Sequence, residues 1–209
     1  MEDFKNLLFD FGGVLLNIDY NRTVESFKKL GYNNFEELFS QYKINGLFEN
    51  FEKGHISEEL LFETLKSLKT PPPSTAQIIS AWNDMLLSYR IESLEFLELL
   101  KQKYNLYLLS NTNITHKREF DKMLLQQTNY TSLSSFFKKA YYSHLIGYRK
   151  PYENVFEFVM NDAGIKAEGT LFIDDSINNI EAAKRMGFKT YYLQPEERIE
   201  EQLAYLISS

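Results

Sequence analysis

The sequence contains no cysteine, so disulfide frameworks, thiolate nucleophiles and cysteine-built zinc sites are all excluded. Histidine is scarce, with three in 209 residues. His116 and His144 have no partner at metal-ligand spacing and read as structural. No apolar stretch approaches the roughly eighteen residues of a membrane span. The first thirty residues carry Asp10 and Asp19 and no uninterrupted apolar run of signal-peptide type. The chain is therefore expected to be cytoplasmic. Low-complexity tracts and internal repeats are missing too. Basic residues are outnumbered, 23 against 29 acidic ones, for a formal charge of −6. That balance argues against a general affinity for nucleic acid or anionic lipid, though not against a local basic pocket.

What is present is the composition of an ordinary globular protein, 44% hydrophobic and 25% charged. The length suits one large domain, or a full core with a smaller appended domain. Phe4 to Phe9 is a short apolar run stopped by Asp10 and followed by Gly12-Gly13, the pattern of a buried strand entering a tight loop. From about Asn21 to Leu87 the periodicity is helical and no strand signal interrupts it. Apolar residues recur three and four apart in Val24-Phe27-Leu30, Phe35-Leu38-Phe39, Leu60-Leu61-Thr64-Leu65-Leu68 and Ile78-Ile79-Trp82-Met85-Leu86. Ser57 is placed to cap one of these helices. Pro71-Pro72-Pro73 separates it from another, capped by Ser74 or Thr75.

After Ile91 the rhythm alternates. Helices are predicted over 91–104, 115–126, 153–162 and 178–186, strands over 106–109, 139–142, 171–173 and 190–193, and a terminal helix follows. This order predicts an α/β fold, a Rossmann-like parallel sheet with helices on both faces and an inserted all-helical segment. Residues 1–16 and 89–209 would form the core and 17–88 the insertion. Ligands of such sheets bind outside the carboxyl ends of the strands. Asp10, Ser110 and Asp174 each stand at such an end.

Asp10 is the candidate nucleophile, because a carboxylate ionised at neutral pH can attack phosphorus to form an aspartyl phosphate that water later hydrolyses. Taken alone, a strand-end Asp is more often a turn cap. Asp174-Asp175, however, bring two more carboxylates to a neighbouring strand end, where they would repel Asp10 unless a cation sits between them. Mg²⁺ suits that place, since it prefers oxygen ligands and keeps several waters. Ser110-Asn111-Thr112-Asn113 supply small hydrogen-bonding groups and amides for phosphate oxygens. Lys150, before Pro151, could place a point charge on the phosphoryl group and steady the attacking carboxylate.

In order and spacing these residues resemble the haloacid dehalogenase superfamily of hydrolases over essentially the full chain. The match comprises Asp10-Phe11-Gly12-Gly13-Val14, Ser110-Asn111-Thr112, Gly147 to Pro151, and Asp174-Asp175-Ser176 followed by Asn178-Asn179-Ile180. The resemblance implies a helical cap inserted after the first strand, Mg²⁺ as cofactor and an aspartyl-phosphate intermediate. By position it makes Asp10 the nucleophile, and Ser110, with Asn111 beside it, and Lys150 the phosphate binders. Asp175 becomes the direct metal ligand and Asp174 the residue that supports it.

One position departs from the pattern. Most phosphatases of the family carry a second Asp two residues after the nucleophile as general acid and base, whereas this chain has Gly12. The Gly12 carbonyl can still bind metal. What is lost is leaving-group protonation, worth about 10² to 10⁴ in rate, or roughly 3 to 5 kcal/mol of barrier. A branch similar to sugar-1-phosphate phosphatases shares this gap, and Asn17-Ile18-Asp19-Tyr20-Asn21-Arg22 fits that branch. The expected function is Mg²⁺-dependent hydrolysis of a small phosphorylated metabolite, a sugar phosphate first among the candidates. The alternatives are a decayed member that binds a phosphorylated ligand or a partner without turnover, and a metal-independent 2-haloacid dehalogenase. A phosphomutase ranks lower, because it needs the acid and base that Gly12 lacks. In the insertion, Lys53 and His55 are candidate specificity residues, while Phe48, Phe51, Tyr42 and Trp82 are expected to pack between cap and core.

Overall fold

The computed structural model describes residues 4–35 and 46–207. Its main sheet has five parallel strands in the order β5-β4-β1-β6-β7. These are β1 (Asn6–Phe9), β4 (Asn105–Ser110), β5 (Lys139–Tyr142), β6 (Thr170–Asp174) and β7 (Lys189–Tyr192). The period-two alternation of side chains feeds two cores. Leu7 and Phe9 join Leu106, Leu108, Leu171 and Ile173 on one face, while Leu8 joins Tyr107, Leu109 and Phe172 on the other. Five helices of this part follow in chain order: α5 (Ile91–Leu100), α6 (Ile114–Gln127), the single turn α7 (Ser143–Ile146), α8 (Glu153–Ala163) and α9 (Ile177–Arg185). Leu94, Leu97 and Phe120 of α5 and α6 cover the first face; Val155, Phe156 and Ile180 of α8 and α9 cover the second. Burial on both faces is why these strands read as continuous apolar runs.

The insertion contributes α1 (Tyr20–Lys29), α2 (Leu47–Glu52), α3 (Glu58–Ser67) and α4 (Thr75–Asn83). Their starts follow ordinary capping chemistry. Asp19 accepts from the Asn21 amide at 3.0 Å and Ser57 from the Leu60 amide at 3.1 Å, while Ser74 and Gln77 form a reciprocal capping box. Their apolar faces build a third cluster in which Phe27 stacks on Phe35 at 4.1 Å and Phe48 on Trp82 at 5.4 Å. Phe48 and Phe51 therefore pack inside this cluster, not between cap and core as expected. Trp82 does reach the core, stacking on His116 of α6 at 5.5 Å. Tyr42, Leu38 and Phe39 lie outside the described residues.

The uninterrupted helical reading of 21–87 needs correction. α4 ends at Asn83, and β3 (Leu86–Tyr89) pairs antiparallel with β2 (Leu16–Ile18), Leu16 against Tyr89 and Ile18 against Leu86. Met85, Leu86 and Tyr89 continue the spacing set by Ile78 and Trp82, so helical periodicity runs on through a strand. The ribbon thus joins the two ends of the stretch that holds α1 to α4. Helix α5 also stops short, at Leu100, where exposed Lys101-Gln102-Lys103 turn the chain into β4. The terminal helix α10 (Ile199–Gln202) is a single turn. Among the described residues no helix is long and apolar enough to cross a membrane.

Candidate active site

With β1 flanked by β4 and β6, the carboxyl ends of three adjacent strands open onto one cavity of about 730 Å³. Asp10, Gly12, Ser110, Asn111, Lys150 and Asp175 line it. Asp10 directly follows β1, its amide donating to the Ile173 carbonyl at 2.8 Å. Lys150, 1% exposed, donates from Nζ to Asp10 Oδ1 at 2.6 Å and to Asp174 Oδ2 at 2.7 Å. Burying an ammonium is tolerable only with such partners. Its backbone is held as well: the Lys150 amide donates to Asn111 Oδ1, and Asn111 Nδ2 donates to the Lys150 carbonyl, both at 2.9 Å. The Asn111 side chain is thereby committed to positioning Lys150.

Asp174 is fully buried and saturated. Oδ1 accepts from the Ser176 amide at 2.8 Å, and Asn179 Nδ2 reaches both oxygens at 3.0 Å. It thus also performs the turn-capping role that a strand-end Asp commonly takes. Asp175 is less buried and faces the β1 loop. Gly13 adopts φ +74°, and a Cβ there would collide with the Asp175 carboxylate. Glycine is required at that position for both reasons.

The electrostatics are those of crowded acids. Asp10 is raised to about 7, by burial first and then by Asp174 and Asp175, with Lys150 pulling against them. Asp175 rises to about 6, through burial and then Asp174, against Lys150. For Lys150, burial works downward, but Asp10 and Asp174 outweigh it and the ammonium is raised overall. Asp10, Asp174 and Asp175 each offer an oxygen within 4.8 Å of the others. A cation with metal–oxygen distances of about 2.1 Å spans ligand oxygens up to about 4.2 Å apart, so Asp10 and Asp175, with the saturated Asp174 beside them, offer a hard, anionic donor set that fits Mg²⁺. Lys150 offsets one of the three charges and leaves room for a dication.

The other expected residues are placed less centrally. Lys53 and His55 are not among the residues lining the cavity; Lys53 pairs with Glu49 at 2.9 Å and His55 is exposed beside Gly147. His116 does line it but is occupied. Its Nδ1 meets Asn113 Nδ2 at 3.1 Å and its Nε2 the Trp82 carbonyl at 3.0 Å, while burial drives it down to about 4, keeping the ring neutral. Sequence reasoning missed Tyr20, Glu49 and Tyr152 and gave Arg149 no role, yet all four line the cavity. Glu49 had one usable signal. It stands four residues before Lys53, on a helix whose inward face is marked by Phe48 and Phe51.

A parallel doubly wound sheet that gathers carboxylates and a buried lysine at its strand tips defines a metal-assisted α/β hydrolase. The chain belongs to the haloacid dehalogenase-like hydrolases, whose family model matches residues 4–187. It is 31% identical over 196 residues to a D-ribitol-5-phosphate phosphatase of Bacteroides thetaiotaomicron, covering 92% of each chain. A HAD family enzyme of the same organism superposes with a TM-score of 0.88 at 36% identity, over 96% of this chain and 98% of that one. That enzyme has also been crystallised with magnesium and inorganic phosphate. A predicted HAD-like hydrolase of Porphyromonas gingivalis gives a TM-score of 0.88 at 31% identity, over 99% of both chains. Mg²⁺ is the cofactor of this enzyme class, and the donor set described above accommodates it.

Proposed function

We propose that this protein is a Mg²⁺-dependent phosphatase that hydrolyses the monoester of a small phosphorylated sugar or sugar alcohol. The observation that carries the reading is the cluster of Asp10, Asp174 and Asp175 around Lys150 at the tips of β1 and β6. Likeness to a D-ribitol-5-phosphate phosphatase supports the polyol character of the substrate. Because such an ester is charged and does not cross membranes unaided, a cytoplasmic setting fits it.

Asp10 is the nucleophile. Its Oδ1 is engaged by Lys150, which leaves Oδ2 to attack phosphorus in line with the departing oxygen. The P–O bond to the alcohol breaks as the Asp10–phosphorus bond forms, and water then cleaves the aspartyl phosphate to release inorganic phosphate. Lys150 fixes the attacking carboxylate and places positive charge beside the phosphoryl group, with Ser110 and the backbone of Asn111 taking phosphoryl oxygens. Asp10, Asp175 and the Gly12 carbonyl would hold the metal, and Asp174 would orient Lys150 beside it. Bound there, Mg²⁺ supplies Lewis-acid screening of the phosphoryl charge. Residues 17–88 act as a cap; the boundaries fall within the β2–β3 ribbon, and a third apolar cluster supports their packing as a unit. Closing that cap over the cavity excludes water and holds the leaving group.

A screen of sugar phosphates, sugar-alcohol phosphates and acyl phosphates with Mg²⁺ tests this. Turnover should appear with metal, vanish with EDTA, and fall by at least about 10³-fold in Asp10→Asn. Activity that persists in EDTA would sink the metal-dependent reading and favour dehalogenase-type chemistry. A protein that binds phosphate esters and never turns them over would establish the decayed alternative.

A further inference from the structure

Besides the groups given roles above, the cavity wall carries Tyr20, Glu49, Arg149 and Tyr152. Glu49 is the informative one, because among these four it is the anionic acceptor, and Lys53 and Arg149 balance its charge so that it can face a cavity receiving a phosphoryl group. Its own partners hold it firmly. Lys53 Nζ lies at 2.9 Å, the Tyr152 hydroxyl donates at 3.2 Å, and Arg149 Nη1 stands at 3.6 Å. The Lys53 hydrogen bond is the first cause keeping Glu49 below the usual carboxylate range, so it is an anion throughout neutral pH.

Donors stand beside this acceptor. Arg149 Nε is buried, 3.0 Å from Glu52 Oε2, but at an angle that makes no hydrogen bond. Tyr20 exposes 66% of its surface, and among the described residues its hydroxyl has no hydrogen-bond partner. A phenol keeps its proton at neutral pH and is free to donate it to a ligand. A charged acceptor flanked by guanidinium and phenol donors matches carbon chains bearing several hydroxyls, each of which both donates and accepts.

We propose that Glu49, positioned by Arg149 and Lys53, is the specificity-determining residue that accepts hydrogen bonds from the hydroxyls of a polyhydroxylated leaving group. This rests on the phosphatase reading above. It goes further by assigning leaving-group selection to one side chain on α2 and its arginine partner from the Lys150 loop. A charge-assisted hydrogen bond to a hydroxyl discriminates by about 10- to 100-fold.

The test compares kcat/KM, with Mg²⁺, for sugar-alcohol phosphates of graded hydroxyl count, an amino-alcohol phosphate and p-nitrophenyl phosphate, in wild type, Glu49→Gln and Glu49→Ala. The proposal expects the polyol-to-nitrophenyl ratio to drop about 10- to 100-fold in both variants, mainly through KM. An equal loss on both substrates would make Glu49 a mere latch between α2 and the core and overturn the proposal. So would an unchanged ratio, which leaves the phosphatase reading standing. A wild-type preference for the ammonium-bearing ester that the variants abolish would replace polyol recognition with cation recognition. Wild type that cleaves no ester would overturn the phosphatase reading itself, and this inference with it.

Discussion

At the scale of single residues, the most consequential position is the one without a side chain. A Cβ on Gly12 would lie 3.0 Å from Ile18 Cδ1, so a side-chain terminus of the β2–β3 ribbon crowds the space from which an acid at this position would extend. With no acid on this loop, the departing oxygen must leave with little protonation, and rates should fall steeply as leaving-group pKa rises. A flat dependence in wild type would refute this account of the site. Gly12→Asp should flatten the dependence in part, because the Ile18 terminus can shift a few tenths of an ångström. Combining it with Ile18→Val, which deletes the crowding methyl, should flatten it further and raise kcat/KM on alkyl phosphates by up to about 10²-fold. The slopes of log kcat/KM against leaving-group pKa for the three proteins check the argument.

Among the elements, α4 ties the insertion to the core, since Trp82 on its last turn stacks on His116 and its carbonyl accepts from that ring. Its start depends on the Ser74–Gln77 box. Ser74→Ala should therefore cost about 1 kcal/mol and lower Tm by about 2–4 °C in thermal unfolding, with turnover of p-nitrophenyl phosphate kept. Elements of this kind were legible because capping residues and periodic apolar faces are local signals. Ser57 and Ser74 announced their helices, and the strands of the main sheet announced themselves as apolar runs ending in Asp10, Ser110 and Asp174. β2 and β3 were not legible: each is only a few residues long, and β3 extends a helical spacing without a break. The site divides the same way. Its floor sits at strand tips, where polar residues interrupt apolar runs. Tyr20, Glu49, Arg149 and Tyr152 come from helix starts, a short helix and a loop, where nothing periodic marks the side chain that turns inward. Lys53 and His55, proposed from the same stretch, lie one helical turn or a bend away from the residue that does so.

For the molecule as a whole, the carboxylate cluster sets fold stability against catalytic readiness. Asp10 is raised from 3.8 to about 7 by burial and its acidic neighbours, so the folded state holds a proton on it that the unfolded chain has already released. A group raised in this way stabilises the fold fully below its unfolded value, and the contribution is lost as pH climbs to the folded value. Metal-free protein should therefore lose stability between pH 5 and 7 on account of Asp10, by at most about 1.4 kcal/mol per pH unit, or about 3–5 °C in Tm, and level off above 7. His116, pushed down to about 4 by burial, contributes with the opposite sign below about pH 6.5 and would blur a simple melting profile. Asp175, itself raised to about 6, adds a loss of the same sign as Asp10 up to that pH. Comparison with Asp10→Asn isolates the Asp10 contribution, because His116 and Asp175 are present in both proteins. In EDTA the variant should gain on wild type steadily from pH 5 to 7 and hold its lead at pH 8. With Mg²⁺ the lead should shrink or reverse, since the ionised Asp10 then has a cation to ligate and the asparagine lacks the charge to match it. A constant Tm difference across this range, with or without metal, would mean that Asp10 is not the strained anion at the centre of the site.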